Sequence, residues 1–478
     1  MAITISEKNI SELQQALQAR ETTSVELVTS YLQRIYTYDQ SGPVLNSIRQ
    51  VNPDALRIAE YCDENRGKTE QSPLYGIPIV IKNNINTEEK MATTAGSVAL
   101  KNNYDPEDAF LVKQLRAAGA IILATTNLTE FANFMAYDMP NGYSSLGGQV
   151  LNPYGPGHFD VGGSSAGTGS AIAANFAAAG IGTETSGSIL SPASSNSLVG
   201  IKPTVGLISR TGIIPISHSQ DTAGPMTRCV EDAAILLTAI AVKDPEDPAM
   251  ENFPGNTSKN YKVHLHNQAL HGARIGIDRE AFSHLSEAEQ QVMEQAITDM
   301  TEQGAIIIDS INLAQPDLDM VVMKHEFKHD LNAYLANISA GVSAHSLADI
   351  IQYNQAHKHI ALLYNQALLS DSEAMSDDPN DPAYLKSREA DIYYSREAGI
   401  DKVMNELALD AILSPNNFGA GLPAKAGYPS ITMPAGYTPE GKPVGVTFTS
   451  YAYQEPTLIA LGYSYEQATL HRKQPNLS

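Results

Sequence analysis

Cysteine and basic residues are both scarce in this chain. Only Cys62 and Cys229 occur among its 478 residues, and two thiols so far apart cannot build a disulfide scaffold or a cysteine-ligated metal site. Lysine and arginine total 31 against 53 aspartates and glutamates, which gives a formal net charge of −22. Because this charge would repel a phosphate backbone, we predict that nucleic acid is not a partner.

Long hydrophobic runs are missing as well. No apolar stretch approaches the roughly 18–20 residues that a membrane-spanning helix needs. Residues 1–17 lack the basic start and apolar core of a signal peptide, and no basic amphipathic helix offers a membrane-binding surface. The sequence therefore predicts a soluble protein of the reducing cytoplasm, without a membrane partner.

The overall composition is typical of a globular protein with a sizeable core, because 42% of the residues are hydrophobic and 18% are charged. Thr23 and Glu26 form a capping-box pattern at the start of a helix. Short apolar runs at Ile77–Ile81 and Ala120–Ala124 enclose a helical pattern at Phe110–Ala118. This strand–helix–strand order predicts parallel strands covered by helices.

Two loops of small residues carry the densest chemical signal. The first, Gly162–Ser170, has the sequence GGSSAGTGS and runs into an alanine-rich stretch, Ala166–Ala179, which predicts a closely packed helix. The second, Gly182–Ile189, has the sequence GTETSGSI. Few side chains intervene in such loops, so their backbone N–H groups and hydroxyls can come close to a ligand.

Three kinds of chemistry use loops of this type. A phosphate-binding P-loop ends in Gly-Lys-Ser or Gly-Lys-Thr, whereas this stretch ends in Thr168-Gly169-Ser170 and has no lysine. The G-x-S-x-G elbow of α/β-hydrolases fits with Ser165 as nucleophile, but no aspartate and histidine can be identified as its partners. The third chemistry needs a lysine as base.

Lys82 directly follows the predicted strand Ile77–Ile81. Ends of parallel strands face the N-termini of the following helices, and α/β proteins place their sites there. Burial beside the two glycine-serine loops, near positive helix ends, would lower the pKa of the Lys82 amine. An uncharged lysine can then act as a base.

The order of these motifs resembles that of the amidase signature family. The lysine lies in Gly76–Asn84, and the glycine-serine loops are followed by Val199–Thr204 and Asp221–Met226. Near the C-terminus, Ala426–Ile431 and Tyr465–Thr469 match as well. The resemblance covers almost the whole chain. It implies an α/β fold with a large twisted, mixed and mainly parallel sheet that helices cover on both faces.

The resemblance also implies a division of labour along the chain. We expect one amidase domain over residues 1–478, with a catalytic core at 76–230. Residues 318–407 are mostly helical in pattern and poor in strand signals, and we expect them to shape the substrate pocket.

Catalytic roles follow from the same resemblance, residue by residue. It makes Ser188 the nucleophile, Ser164 a bridging serine held by a cis peptide, and Lys82 the base. The implied oxyanion hole consists of the backbone N–H groups of Thr185, Ser186, Gly187 and Ser188. The implied substrate contacts are Asn133, Gly163 and Gln220.

The implied reaction is acyl transfer in two halves. Lys82 takes a proton from Ser188 through Ser164 and returns it to the departing amine, and water then repeats the cycle on the acyl-enzyme. The reaction needs no cofactor and no metal.

The branch of the family is indicated by Asn127–Phe134, Gly147–Gln149 and Gly212–Ser217, which look closest to peptide amidases. The resemblance implies hydrolysis of a carboxamide, such as a peptide C-terminal amide or a related small amide, to a carboxylate and ammonia. The partner is then a small-molecule or peptide amide substrate, and we expect a monomer or homodimer. Ser186 and Leu190 depart from the commoner family pattern, which leaves the substrate preference open.

Two alternative functions remain. One is the amidase subunit of a glutamine-dependent aminoacyl-tRNA amidotransferase, which would act with partner chains. The other is a zinc peptidase, because His325-Glu326-Phe327-Lys328-His329 fits the H-E-x-x-H motif. No third zinc ligand can be identified, so we favour a pocket-lining or solvent-facing helix there. We expect His218 to be a hydrogen-bonded structural histidine.

Overall fold

Helices and strands alternate along the whole chain, of which a computed structural model describes residues 4–68, 71–88, 90–254, 260–313, 319–339 and 341–477. The α-helices are α1 (Ile10–Gln18), α2 (Ser24–Tyr38), α3 (Ala55–Asn65), α4 (Phe110–Ala117), α5 (Ala166–Ala173), α6 (Leu190–Ser195), α7 (Val230–Ile240), α8 (Glu287–Glu302), α9 (Val321–Leu335), α10 (Leu347–Ala356), α11 (Lys358–Ala361), α12 (Ala367–Glu373), α13 (Pro382–Ser395), α14 (Asp401–Leu407), α15 (Gly421–Ala426) and α16 (Glu455–Thr469). The strands are β1 (Ile48–Val51), β2 (Pro78–Lys82), β3 (Ile121–Thr126), β4 (Tyr143–Ser144), β5 (Gly148–Gln149), β6 (Ala179–Glu184), β7 (Val199–Lys202), β8 (Thr222–Thr227), β9 (Arg274–Ile277), β10 (Ile306–Ile308), β11 (Ala411–Pro415), β12 (Ser430–Tyr437) and β13 (Pro443–Thr449).

One sheet organises the molecule. Among the described residues it has eleven strands in the order β1-β3-β2-β6-β8-β7-β12-β13-β11-β9-β10. Strand β2 pairs in parallel with β3 and β6, and β9 pairs in parallel with β10 and β11. The strands between these two blocks pair antiparallel, as does the edge strand β1. The predicted large mixed sheet is confirmed, with its parallel pairing confined to the two blocks.

Both faces of the sheet are covered. Successive side chains of a strand point to opposite faces, and every residue of β2, β3, β6 and β13 is buried. Helix α5 is also buried throughout and lies very close to β6. A Cβ atom added to Gly180 would come within 2.6 Å of Cγ2 of Thr168. Small residues in both elements therefore allow the close packing that the alanine-rich stretch predicts.

The alanine-rich stretch does not form one long helix, however. Helix α5 ends early, Asn175 takes a left-handed φ of 61°, and Ala179 begins strand β6. The prediction of a helix that continues to Ala179 is therefore wrong. The guanidinium of Arg228 donates to the backbone oxygens of Ile172 and Ala177, so the end of α5 is fixed by a residue that is distant in the sequence.

The helical part of the chain has a hydrophobic core of its own. Residues 321–407 contain helices α9 to α14 and, within the part that the structure describes, no strand; the predicted boundary Leu318 lies outside the described residues. Phe327 of α9 packs against Phe131 and Phe134, which follow β3. This contact fixes the helical part against the loop that precedes the first glycine-serine loop.

The two cysteines are free thiols, with Cys62 buried and Cys229 partly buried. None of the described helices is both long and apolar enough to cross a membrane.

Candidate active site

Lys82 is the last residue of β2, and parallel strands β3 and β6 lie on either side of it. The side chain is completely buried. Its Nζ lies 2.7 Å from Oγ of Ser164, 2.9 Å from Oγ1 of Thr183 and 3.2 Å from the backbone oxygen of Thr183. A neutral amine has two N–H groups and one lone pair, so it can donate twice to Thr183 and accept the proton of Ser164.

Burial also sets the charge of this amine. Loss of solvation lowers the pKa of Lys82 to about 7, although the negative charges of Glu184 and Asp221 oppose the shift. None of its three hydrogen-bond partner atoms is a carboxylate oxygen. A large fraction of the lysine is therefore uncharged near neutral pH, as a proton acceptor must be.

Ser164 connects the lysine to the second glycine-serine loop. The peptide bond between Gly163 and Ser164 is cis, as the resemblance implies. The next residue, Ser165, donates its backbone N–H to the backbone oxygen of Ser188 at 3.2 Å. Ser164 is fully buried and Ser188 is 7% exposed. The two predicted catalytic serines thus lie in loops that are in direct contact.

The hydroxyl groups of these serines differ in their partners. Ser164 Oγ is bonded to Lys82. Within the described residues, the Ser188 hydroxyl makes no hydrogen bond, so the link between the two serines is not closed. The structure brings Lys82 and Ser164 together and leaves the Ser188 hydroxyl unpaired in the adjacent loop.

Glu184 shapes the turn that carries Ser188, and the sequence patterns did not single it out. Its carboxylate accepts the backbone N–H groups of Gly187 at 2.7 Å, Ile189 at 2.7 Å and Leu190 at 3.0 Å. Amides at the start of a helix have no partner within the helix, and an acidic side chain satisfies them well. The signal in the sequence that could have indicated this role is the position of Glu184 just before the turn in GTETSGSI.

The predicted oxyanion hole lies in the turn of residues 185–188, whose backbone N–H groups differ in their partners. The N–H of Gly187 donates to Glu184 and is not free for a ligand. The N–H groups of Thr185, Ser186 and Ser188 have no acceptor among the described residues. Gly187 takes a φ of 80°, a left-handed value that glycine adopts easily. The turn therefore offers three unpaired donors beside the Ser188 hydroxyl.

A loop over residues 216–221 supports this turn. Asp221 accepts the hydroxyl of Thr185 at 2.5 Å and the backbone N–H groups of Ile216 and Ser217 at 2.8 and 2.9 Å. Burial raises the pKa of Asp221 to about 6. Gln220, a predicted substrate contact, is buried and donates its Nε2 to the backbone oxygen of Thr185 at 3.4 Å. Gln220 therefore lies against the 185–188 turn.

The other two predicted substrate contacts lie in different surroundings. Asn133 is exposed at the end of a turn in which Phe131, Ala132 and Asn133 all take positive φ values. Ala132 lines a cavity that also borders Thr185, whereas Asn133 does not line it. Gly163 is packed so closely that an added Cβ would lie 2.6 Å from Oδ1 of Asn141.

A cavity of about 360 Å³ extends from this site. Asn84, Thr183 and Thr185 line it. The cavity therefore reaches Thr183, which is bonded to Lys82, and the 185–188 turn. Its apolar lining includes Ala132, Ile213, Ile214, Pro215 and Ile216. Helix α9 adds Asp330, Ala333 and Tyr334.

The H-E-x-x-H sequence lies in α9, where its glutamate has other partners. Glu326 is buried and accepts the hydroxyls of Ser217 and Ser219, both at 2.5 Å, and that of Tyr384 at 2.9 Å. These bonds tie α9 to the 216–221 loop.

His218 also connects the 216–221 loop to α9. Its Nε2 lies 3.3 Å from Glu326, and its Nδ1 lies 3.0 Å from Asp330, so it is hydrogen-bonded as expected. In the described part of the chain, these three residues form the only group with potential metal ligands close enough together. That group leaves out His325 and His329, the two histidines of the zinc motif.

Comparisons with known proteins agree with this architecture. The family model described as Amidase matches residues 26–424. The structure of a peptide amidase from Stenotrophomonas maltophilia superimposes with a TM-score of 0.94 and 41% identity, over 99% of each chain. A probable amidase of Arabidopsis thaliana is 38% identical over 98% of this chain and 92% of the relative. One subunit of the glutamyl-tRNA(Gln) amidotransferase of Microcystis aeruginosa is 31% identical over 98% of this chain and 99% of the relative.

The wide mixed sheet, the buried strand-end lysine and the paired glycine-serine loops define an enzyme of the amidase signature fold. The chain belongs to the Amidase family. It is accordingly a hydrolase of linear amides.

Proposed function

We propose that this protein hydrolyses primary carboxamides, such as the C-terminal amide of a peptide or a related small amide, to the carboxylate and ammonia. The observation that carries the proposal is the fully buried Lys82 amine, 2.7 Å from Oγ of Ser164, with its pKa lowered to about 7. The substrate class is supported by the 41% identity to the Stenotrophomonas maltophilia peptide amidase.

In the acylation half, Ser188 Oγ attacks the carbonyl carbon of the amide. Its proton passes to Ser164, whose own proton passes to the neutral amine of Lys82. The C–N bond then breaks as the proton returns through Ser164 to the departing nitrogen, which leaves as ammonia. The relay requires the Ser188 hydroxyl to come within hydrogen-bond distance of Ser164 Oγ.

In the deacylation half, water takes the place of ammonia. Its proton passes through Ser164 to Lys82, its oxygen bonds to the acyl carbon, and the ester bond to Ser188 breaks as the proton returns to Ser188 Oγ. The carboxylic acid leaves, loses its proton to solvent to become the carboxylate, and the enzyme is restored.

The tetrahedral intermediate needs donors for its negative oxygen. The N–H groups of Thr185, Ser186 and Ser188 are free for this role, while Gly187 is held by Glu184. Loss of one such donor typically raises the barrier by about 3 kcal/mol. Fixed amides do not have to reorganise during the reaction, which favours backbone groups in this role.

We further propose one domain over residues 1–478, with a catalytic core at 76–230 and a pocket-shaping region at 318–407. The last assignment is supported by Asp330, Ala333 and Tyr334, which line the cavity from α9. We also propose a cytoplasmic monomer or homodimer that does not bind nucleic acid. The free thiols and the net charge of −22 support this part.

The test is ammonia release from a panel of peptide amides, aliphatic and aryl amides, and glutamine. Replacement of Ser188 by alanine should lower kcat by at least about a thousandfold. The circular dichroism spectrum should stay unchanged, because the fold is retained. Ser165→Ala is the matched control, because Ser165 is adjacent to Ser164, is equally buried and would be the nucleophile of an α/β-hydrolase elbow. Full activity of Ser188→Ala, or loss only in Ser165→Ala, would refute the proposal.

The amidotransferase component is a second candidate, because relatives with that name are 31% identical over nearly the whole chain. It predicts glutaminase activity that depends on co-purifying chains. Turnover of peptide amides by the isolated protein favours the first candidate. The zinc peptidase predicts loss of activity with a chelator and bound zinc in metal analysis.

A further inference from the structure

Asn84 carries a buried hydrogen-bond acceptor that has no partner. Its side chain is 2% exposed, and no group of the described residues bonds to its Oδ1. Asn84 also lines the cavity that reaches the active site. Most buried polar atoms in proteins are paired. An unpaired acceptor in a residue that lines a cavity therefore calls for a donor from a ligand.

The surroundings of Asn84 hold this acceptor in place. The Nδ2 atom of the same side chain donates to Oγ1 of Thr183 at 3.0 Å, and the backbone oxygen accepts the N–H of Ile214 at 2.8 Å. Thr183 Oγ1 in turn lies 2.9 Å from Nζ of Lys82. One residue therefore separates the Asn84 amide from the proposed base, and the free carbonyl is fixed before any substrate binds.

The proposed reaction brings a nitrogen into this neighbourhood. The departing nitrogen receives its proton from the side of Lys82 and Ser164, so it must lie close to them. An amide nitrogen, and the amine that it becomes, both carry N–H groups. The alkoxy oxygen of an ester carries none.

We propose that Oδ1 of Asn84 accepts an N–H of the carboxamide as it becomes ammonia, and that this bond makes the enzyme select carboxamides over esters. The inference rests on the proposed amide hydrolysis. An ester would leave Oδ1 buried and unpaired, and unpaired acceptors are the chief means by which a polar site rejects an analogue that lacks a donor.

Gln220 offers a second unpaired buried acceptor, its Oε1. Within the described residues, however, Gln220 does not line the cavity. Its side chain instead donates to the backbone oxygen of Thr185 in the 185–188 turn. The selection is therefore assigned to Asn84.

The experiment compares the primary amide and the methyl ester of the same peptide acid in the full-length protein. We expect Asn84→Leu to lower the ratio of kcat/KM for amide over ester by about tenfold to a hundredfold, because only the amide loses a bond. Asn84→Ala, which is smaller, should lower the ratio in the same direction if the leucine variant folds poorly.

The matched control is Asn196→Leu. Asn196 is equally buried and also has an unpaired Oδ1, but its Nδ2 donates to Val161 and Pro192 and it does not line the cavity. Its amide-to-ester ratio should stay within about threefold of the parent value, well below the effect of a lost hydrogen bond.

An unchanged ratio in both Asn84 variants would overturn the inference. Equal loss of both substrates would overturn it too, because Asn84 would then act on the fold or on Lys82 rather than on the substrate N–H. If the parent protein hydrolyses no amide at all, the proposed function fails first, and that outcome is seen before any variant is made.

Discussion

Among single residues, the proposed base Lys82 should determine how the activity responds to pH. Acid protonates the amine and removes the base, and the pKa of about 7 places this loss near neutrality. We therefore expect kcat/KM for a peptide amide to rise with pH through about 7 and to level off above it. A pH profile from about 5 to 9 measures this, and a flat profile with chemistry rate-limiting would contradict the role of Lys82.

Lys202 provides a control for that experiment. It is also a fully buried lysine, and burial lowers its pKa to about 8. Its Nζ donates to the backbone oxygen of Tyr428 at 2.6 Å and bonds to no serine. Replacement of Lys202 by methionine should leave the midpoint of the pH profile in place, whereas Lys82→Met should remove activity at every pH.

Glu184 offers a second prediction at the residue scale. Its two carboxylate oxygens accept three backbone N–H groups around Ser188. A glutamine has only one acceptor oxygen, so Glu184→Gln leaves at least one buried amide unpaired, which costs about 1–3 kcal/mol. We expect kcat to fall about tenfold to a hundredfold with little change in KM. Glu440→Gln, on an exposed turn, should have no effect.

The sequence predicts that Lys82 lies at a strand end beside the glycine-serine loops, and its Nζ is bonded to Ser164 in the first of them. The catalytic roles of Lys82, Ser164 and Ser188 come from the family resemblance and stay predictions. The bond from Gly187 to Glu184 and the unpaired acceptor of Asn84 could not be predicted. Whether a buried amide is free depends on its neighbours in space, and no motif records that.

At the scale of elements, helix α2 tests the capping pattern. The Thr23 hydroxyl accepts the N–H of Glu26, and the Glu26 side chain accepts the N–H of Thr23, which confirms the predicted capping box. We expect Thr23→Ala to lower the free energy of unfolding by about 1 kcal/mol, measured by urea denaturation. Thr37→Ala, at an exposed position of the same helix, should change it by less than about 0.5 kcal/mol.

Elements were predicted well where hydrophobic pattern and turn signals agree. The run Ile77–Ile81 became β2 with a shift of one residue. The sequence pattern does not predict strand β8. Its sequence, Thr-Ala-Gly-Pro-Met-Thr, contains a glycine and a proline, which usually interrupt strands. In the sheet, Pro225 lies opposite Ile181, so tertiary packing overrides the local preference.

At the scale of the molecule, Arg472 connects distant parts of the chain. Its guanidinium pairs with Glu7 at 2.8 and 2.9 Å and donates to the backbone oxygens of Ser197 and Ala173. The ion pair is partly buried, with the Glu7 side chain 33% exposed. Loss of its hydrogen bonds costs about 1–3 kcal/mol, and we expect a loss of that order for Arg472→Ala in urea denaturation. Lys473→Ala, at the next position, should lower the free energy of unfolding by less than about 0.5 kcal/mol. Equal losses of stability in the two variants would contradict a connecting role for Arg472.

The eleven-stranded sheet ends in short strands on both sides. Edge strand β1 has four residues and edge strand β10 has three. An exposed edge is a template on which another chain can add a strand, and short edges offer few hydrogen bonds for such an addition. Despite its width, the sheet therefore presents little backbone with which a strand of a second copy could pair.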